Sequence, residues 1–494
     1  MNDSWKLEVY RNPLSIHHSK VYTHFHKKRC SFFYFPASQS ITQIYLFVAE
    51  ILYSATSKLF GYMQNLEIPP LIISHQTFFQ NSFDLVPRMS FSPYLEGNDI
   101  IFITGLLHAG KTYLLRQIAS NLQGSKIYID FEDIKIQEVG SESFQVIEKI
   151  ATEIHEKKSL RNEAEQIYYF LDEIHNIPGW ESWVDRLNRQ GAKIFITSSC
   201  LGLKEQEFST RFKGRSKIIR LFPFSFKEYI LLRGTTIPGF KFLTPSQSDE
   251  MLCMFLQYFE NGGFPAVIKN NDFHLCLKYF EDILQKKAVK ACHTQVISGL
   301  KKLSIFLISN VASECRLETL KKASGIEDEE IICTCLDYLE DNFLLYRIPK
   351  LIPPHESSLE MAVKYKFYVS DTGFFKAVYP NYPDNLGLRF ENLVYLELLR
   401  QGKQIFYLRN MNKCDFLIKE KDSGKISAAI QTTIHLGSPV VRERAVLGLM
   451  EAMEDYGLEE GLILTMDDEE VLFIGGKDEK KKIMVKSVWK WMLE

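Results

Sequence analysis

The sequence predicts an α/β protein whose first half is a parallel sheet with helices on both faces, and three observations predict it. Ile100 to Thr104 is an apolar strand that runs into the loop Gly105-Leu106-Leu107-His108-Ala109-Gly110-Lys111-Thr112 and then into a helix. About sixty residues on, Gln166 to Glu173 is a second apolar run, ending in the adjacent carboxylates Asp172 and Glu173. A third run, Ala192 to Ser199, ends in hydroxyls. Strand and helix alternate from about 70 to 235, the pattern of a parallel sheet.

Taken in order, residues 1–69 form an extension unlike the rest. Lys20, His24, His26, Lys27, Lys28 and Arg29 make a basic run, followed by Phe32, Phe33, Tyr34 and Phe35. Without cysteine or carboxylate spacing, the histidines suit a solvated tail better than a metal site. Ile41 to Tyr53 is apolar but interrupted by Glu50, too short and too charged for a membrane span, and reads as an amphipathic helix. Met63 is a conceivable alternative start, since the recognisable pattern needs nothing upstream of it.

The first loop, G-x-x-x-x-G-K-T between strand and helix, is the arrangement that cradles a polyphosphate. Gly105 and Gly110 let the backbone curl so that amides point inward, and the helix N-terminus adds positive potential. Leu106, Leu107, His108, Ala109 and Tyr113 complete the cradle, and Lys111 reaches the β- and γ-phosphates. Thr112 and Asp172 are the expected Mg²⁺ ligands, with Glu173 polarising the attacking water. The predicted cofactors are therefore ATP and Mg²⁺. The pattern resembles additional-strand ATPases, and that resemblance implies that the polar residue ending the third run, Thr197 or Ser198 with Thr197 the choice, meets the γ-phosphate or that water. Arg211 and Arg215 lie in the loop before the strand Lys217 to Phe222. Either can serve as an arginine finger, with Arg215 the candidate and an ordinary surface arginine the plainer alternative.

These motifs carry a resemblance. Gly105 to Thr112, Leu171-Asp-Glu-Ile174 with Pro178-Gly-Trp180, Ile196-Thr-Ser-Ser199, Gly214-Arg215, Phe222-Pro-Phe-Ser-Phe-Lys-Glu228 and Gly262-Gly-Phe-Pro265 stand in the first part. Val369-Ser-Asp-Thr-Gly373, Phe390-Glu-Asn-Leu-Val394 and Cys414-Asp-Phe416 follow. Together they resemble the prokaryotic AAA-superfamily P-loop ATPases whose C-terminal half is a domain of unknown function with a restriction-endonuclease-like fold. The family commonly has arginines ahead of the second loop glycine, where this chain has Leu106, Leu107 and His108. The expected architecture is an AAA-type ATP-binding domain at 70–235, a helical lid at 236–298, a winged helix at 299–355 and a degenerate nuclease-like domain at 356–494.

The third helix of the winged-helix pattern, Glu327 to Asn342, carries Glu327, Asp328, Glu329, Glu330, Asp337, Glu340 and Asp341 and no lysine or arginine. Phosphates repel such a helix, so protein packing is favoured over DNA reading. In the last domain Glu391 lies on the helix Phe390 to Leu399 and Asp415 opens a short strand, Phe416 to Ile418. The resemblance implies a carboxylate on that strand and E-x-K on the next, where a metal and a lysine activate water. Gln431-Thr432-Thr433 stands in the E-x-K place, so nuclease activity is not expected.

The 494 residues suffice for about three domains, and 46% apolar with 24% charged residues is ordinary for a globular chain. A net charge of −2 gives no general reason to expect nucleic acid. Nine scattered cysteines, without C-x-x-C, suit a reducing cytoplasm. The expectation is a cytoplasmic ATPase coupling nucleotide state to a nuclease-like domain. Two other readings are a metal-dependent DNA nuclease regulated by ATP and a non-hydrolysing nucleotide sensor that recruits a protein partner.

Overall fold

The computed structural model describes residues 18–21, 33–36, 68–80, 86–88, 91–159, 166–200, 208, 210–237, 243–285, 294–351, 364–378, 385–409, 413–475 and 480–494. The helix expected at Ile41 to Tyr53 lies outside them. Near the N-terminus β1 (His18–Val21) pairs antiparallel with β2 (Phe33–Pro36), where a tail was expected. Aromatic residues such as Phe33, Tyr34 and Phe35 favour extended backbone.

The next sheet is parallel throughout: β3 (Ile100–Gly105), β4 (Ser125–Asp130), β5 (Ile167–Asp172), β6 (Lys193–Ser198) and β7 (Ser216–Leu221), in the order β4-β5-β6-β3-β7. Ile100, Ile101 and Ile103 of β3 are wholly buried, as a central strand covered on both faces requires. β6 lies between β5 and β3, so the carboxylate-ending strand is one strand removed from the loop it faces.

Residues 245–284 form three helices, Pro245–Asn261, Pro265–Asn270 and His274–Leu284. A middle unit follows: helix Thr294–Ser309, β8 (Glu314–Arg316), helices Leu317–Ser324 and Glu329–Asp341, β9 (Leu345–Ile348) and β10 (Lys364–Val369). The strands pair antiparallel in the order β8-β10-β9. β10, placed by sequence in the last domain, thus completes the middle sheet. Lys366, Phe367, Tyr368 and Val369 of β10 are all buried, as are Leu345 and Ile348 of β9, so β10 is covered on both faces.

The C-terminal sheet contains β11 (Gln404–Arg409), β12 (Lys413–Lys419), β13 (Ile426–Thr432), β14 (Glu460–Thr465), β15 (Glu470–Gly475) and β16 (Lys480–Ser487). Their order is β11-β12-β13-β14-β16-β15, with β13, β14 and β16 parallel and the other pairs antiparallel. Asp415 sits inside β12 rather than opening it, and the helix carrying Glu391 runs longer than expected, Leu386–Arg400. A single hydrophobic core joins the 245–284 helices, the middle unit and one face of this sheet, through residues such as Phe264, Leu336, Phe374, Phe390 and Trp489. Among the described residues no helix is long and apolar enough to cross a membrane.

Candidate functional site

The site forms where β3, β5 and β6 end on the same edge of the parallel sheet. Gly105 leaves β3 with φ 150° and packs so closely on β7 that an added Cβ would lie 2.0 Å from the Leu221 carbonyl oxygen. Gly110 takes φ 97° as the N-cap of helix Lys111–Ser120. Both positions therefore require glycine. Leu106 and Ala109 turn their side chains into the core shared with the 245–284 helices, so their contribution to a ligand is through the backbone. His108 is left-handed (φ 64°), stacks on Tyr279 at 3.9 Å and lies 3.2 Å from Asp282. Burial lowers its pKa, against the raising influence of Asp282. Tyr113 is half exposed.

Lys111 is buried, and its Nζ donates to the Gly105 and Leu106 carbonyls at 3.2 Å each. It also lies 3.1 Å from Glu173 Oε1. Thr112 Oγ1 donates to Asp172 Oδ2 at 2.6 Å, Tyr128 OH donates to the same oxygen at 3.0 Å, and Thr197 Oγ1 donates to Asp172 Oδ1. Burial, and then Glu173 beside it, push the Asp172 carboxyl up despite these three donors. Glu173 is left-handed (φ 51°), which turns its side chain back toward the loop after β5 ends. Its amide donates to Thr197 Oγ1 at 2.8 Å, and its Oε2 accepts from the Ser199 amide at 2.8 Å. His175 Nδ1 lies 3.4 Å from that oxygen and 3.0 Å from Ser198 Oγ.

The structure thus gathers Gly105, Gly110, Lys111, Thr112, Asp172, Glu173 and Thr197 at one edge. Between the two hydroxyl candidates, Thr197 meets the carboxylates and Ser198 turns to His175 and the Cys200 carbonyl. Arg215 does not join them within this chain. It precedes β7, its carbonyl accepts from the Ile100 amide at 2.9 Å, and its guanidinium binds Asp185 and Asn188. That is the opposite edge of the sheet, about 16 Å along β3 from Gly105, too far for a side chain to reach within one chain. Arg211 pairs with Glu181 at 3.2 Å.

Sequence reasoning missed Tyr128, Asp130, His175 and Ser199. Asp130 ends β4 in register with Asp172. Burial, with Asp172 also contributing, pushes its carboxyl up to about 7. The available signal was alternation: Tyr128 and Asp130 are two apart on a strand and so share the face that Asp172 uses.

A second cluster of carboxylates and lysines lies far along the chain. Glu391 Oε1 accepts from Lys366 Nζ and from Tyr368 OH at 2.7 Å, and Oε2 from Lys413 Nζ at 2.9 Å. Asp415 Oδ1 lies 2.9 Å from Lys413 Nζ, and Oδ2 accepts from the Thr432 amide at 2.9 Å and hydroxyl at 2.6 Å. Gln431 Oε1 accepts from the Asp415 amide at 3.2 Å. Lys366, on β10, and Lys413, on β12, supply the cations that the Gln431-Thr432-Thr433 stretch lacks.

Residues 97–230 match the family model described as an AAA domain. This segment is similar to AAA-type P-loop domains. Residues 254–389, following the AAA domain, match a model described as a domain of unknown function, DUF8612. An uncharacterized protein of Methanocaldococcus jannaschii is 28% identical over 413 residues, covering 80% of this chain and 88% of its own length. An uncharacterized protein of Haemophilus influenzae is 28% identical over 344 residues, covering 65% and 79%. The crystal structure of Cdc6p from Pyrobaculum aerophilum aligns with 62% of this chain and 98% of its own, at 13% identity and a TM-score of 0.22. That score adds nothing to the assignment of the AAA domain.

Proposed function

We propose that this chain is a Mg²⁺-dependent ATPase of the cytoplasm that passes its nucleotide state to its C-terminal half. One observation carries the reading: across a single glycine-hinged loop, Lys111 lies 3.1 Å from Glu173 while Thr112 lies 2.6 Å from Asp172. A phosphate-gripping ammonium, a carboxylate able to orient water and a hydroxyl–carboxylate pair suited to a hard cation therefore converge. The donor set fits Mg²⁺, because Asp172 is a buried acid whose described side-chain partners are hydroxyls and which Glu173 repels, a repulsion that a divalent cation relieves. Thr112 and Asp172 would hold it, and when bound it neutralises charge between the β- and γ-phosphate oxygens.

The chain's own residues do the rest. Lys111 and the loop amides grip the β- and γ-phosphates, so charge developing on the γ-phosphoryl oxygens meets preorganised donors. Glu173 accepts a hydrogen bond from the attacking water, whose oxygen bonds to the γ-phosphorus as the bond to the β,γ-bridging oxygen breaks. Thr197 steadies the carboxylate strand through the Glu173 amide. The helices of 236–298 act as a lid, and the middle unit, a winged helix completed by β10, connects to a nuclease-like C-terminal domain. Glu391 and Asp415 pair with two ammonium groups, those of Lys366 and Lys413, which supports a structural role there rather than cleavage of nucleic acid. Helix Glu329–Asp341 exposes Glu329, Glu330 and Asp337, which favours a protein partner over DNA.

The test is steady-state ATP hydrolysis by the wild type, Lys111→Ala and Glu173→Gln, with and without DNA. Both variants are expected to lose at least ~100-fold in turnover, Glu173→Gln keeping its affinity for ATP. Equal turnover by Glu173→Gln and wild type, with tight binding, would replace this reading with a non-hydrolysing sensor. Stimulation by DNA would reverse the assignment of the acidic helix.

A further inference from the structure

The motifs Gly262-Gly-Phe-Pro265 and Ser370-Asp-Thr-Gly373 play no part in the chemistry above, yet they interlock. Asp371 is 2% exposed. Its Oδ2 accepts from the Gly263 amide at 2.7 Å and its Oδ1 from the Gly373 amide at 2.8 Å. A Cβ on Gly262 would fall 1.9 Å from Asp371 Oδ1 and 2.6 Å from the Gly373 nitrogen. One carboxylate thus clamps the turn between two of the 245–284 helices onto the start of helix Gly373–Val378.

The turn packs on the segment that follows β7, and the proline after it approaches the Gly110 end of the phosphate loop. Pro265 Cγ lies 3.8 Å from the position of a Cβ on Gly110. The Gly263 carbonyl accepts from the Phe224 amide at 2.7 Å, and a Cβ on Gly263 would lie 2.3 Å from the Phe224 carbonyl oxygen. Phe224 follows β7, whose Leu221 abuts Gly105. The Phe224 carbonyl is gripped by Tyr258 OH at 2.8 Å, and Arg400, at the end of helix Leu386–Arg400, reaches the Pro223 and Phe224 carbonyls at 3.4 Å. The Gly263–Phe224 and Asp371 contacts are made to backbone atoms in the interior, and the Pro265, Tyr258 and Arg400 side chains add to them, so a shift at one is felt at the next. Close-packed interiors transmit such shifts rather than damp them.

We infer that the Gly262–Gly263 turn, clamped by Asp371, is the joint through which occupation of the phosphate loop reaches helices Gly373–Val378 and Leu386–Arg400. The inference rests on the reading that the loop binds ATP. A change in the Gly105 or Gly110 backbone on binding moves the Leu221–Phe224 segment or Pro265. Either motion displaces Gly263, and Asp371 carries the displacement into the C-terminal half. Asp371 is a positioning residue here, remote from the reacting atoms.

Hydrogen exchange of the full-length protein, with and without Mg·ATPγS, tests this alongside calorimetric titration of the same nucleotide. The wild type is expected to change exchange in 373–378 and 386–400 as well as at the loop. Asp371→Asn, which turns one acceptor into a donor facing an amide, and Pro265→Ala, tolerated at the first helical position, break the joint at opposite ends. Both are expected to bind within about 2-fold of wild type while the distal change falls at least 5-fold. Thermal unfolding checks that each variant folds, and if Asp371→Asn does not, Pro265→Ala alone decides. A full distal response in a folded variant, or wild-type binding with no distal response, overturns the joint and leaves ATP binding standing. Absence of wild-type binding removes the parent reading and the joint together.

Discussion

The phosphate-loop edge and the Glu391–Asp415 cluster are built from the same residue types, two acids with lysine and hydroxyl partners, and differ in what those partners leave open. At the loop, Lys111 faces Glu173 while Asp172 is held by three hydroxyls. Hydroxyls can accept as well as donate, so they can turn toward an incoming cation or water. In the distal cluster two lysines, Lys366 and Lys413, pair directly with the acids, where the loop edge has one. Burial pulls the Lys366 ammonium down in pKa, with Glu391 opposing. Burial acts the same way on Lys413, but Asp415 and Glu391 outweigh it and hold the group charged. The difference teaches that an acid–lysine constellation becomes a reactive site through its unsaturated partners, not through its composition.

The comparison breaks most visibly at stability. Glu391→Gln strands the Lys366 ammonium in the interior and is expected to destabilise the C-terminal half by about 3–5 kcal/mol. Lys366→Met with Glu391→Leu should recover most of that loss. Chemical denaturation followed by Trp489 fluorescence measures both, and a neutral Glu391→Gln would show the cluster to be open like the loop.

A smaller effect concerns pH. Burial pushes Asp371 up to about 6 from its ordinary 3.8. The folded protein thus binds a proton more readily than the unfolded chain, and the ionised carboxyl costs stability that is returned as pH falls through about 6 toward 4. Relative to Asp371→Asn, wild type should gain about 1 kcal/mol between pH 7 and pH 5 in denaturant titrations at the two values. A constant difference would remove that assignment.

The smallest effect is at Arg215. Arg215→Ala should change ATP turnover less than about 3-fold while costing about 1 kcal/mol through loss of its Asp185 and Asn188 contacts. A 100-fold loss of turnover that depends on protein concentration would instead mean that a second copy presents this edge to the loop.

Much of the phosphate-loop edge was legible in the sequence, because its parts end consecutive apolar strands and parallel strands bring like ends together. The position of Arg215 was readable as well: a residue that precedes a parallel strand lies at the edge away from the strand ends. Lys366 and β10 were not legible. Their placement depends on pairing with β9, the preceding strand, and with the more distant β8, whereas the sequence reading drew a domain boundary between β9 and β10. Lys413, two residues from Asp415, was readable only after the direction of the Glu391 helix was known. The mutual clamp of Gly262, Gly263 and Asp371 was visible as two motifs but not as one contact.

His108 ties the loop to a helix that does not otherwise belong to the sheet, by a ring stacked on Tyr279 and a polar contact to Asp282. The conformation of the loop's left-handed residue is thus shared with helix His274–Leu284, and substitutions at Tyr279 or Asp282 would loosen the loop without touching any of its own residues.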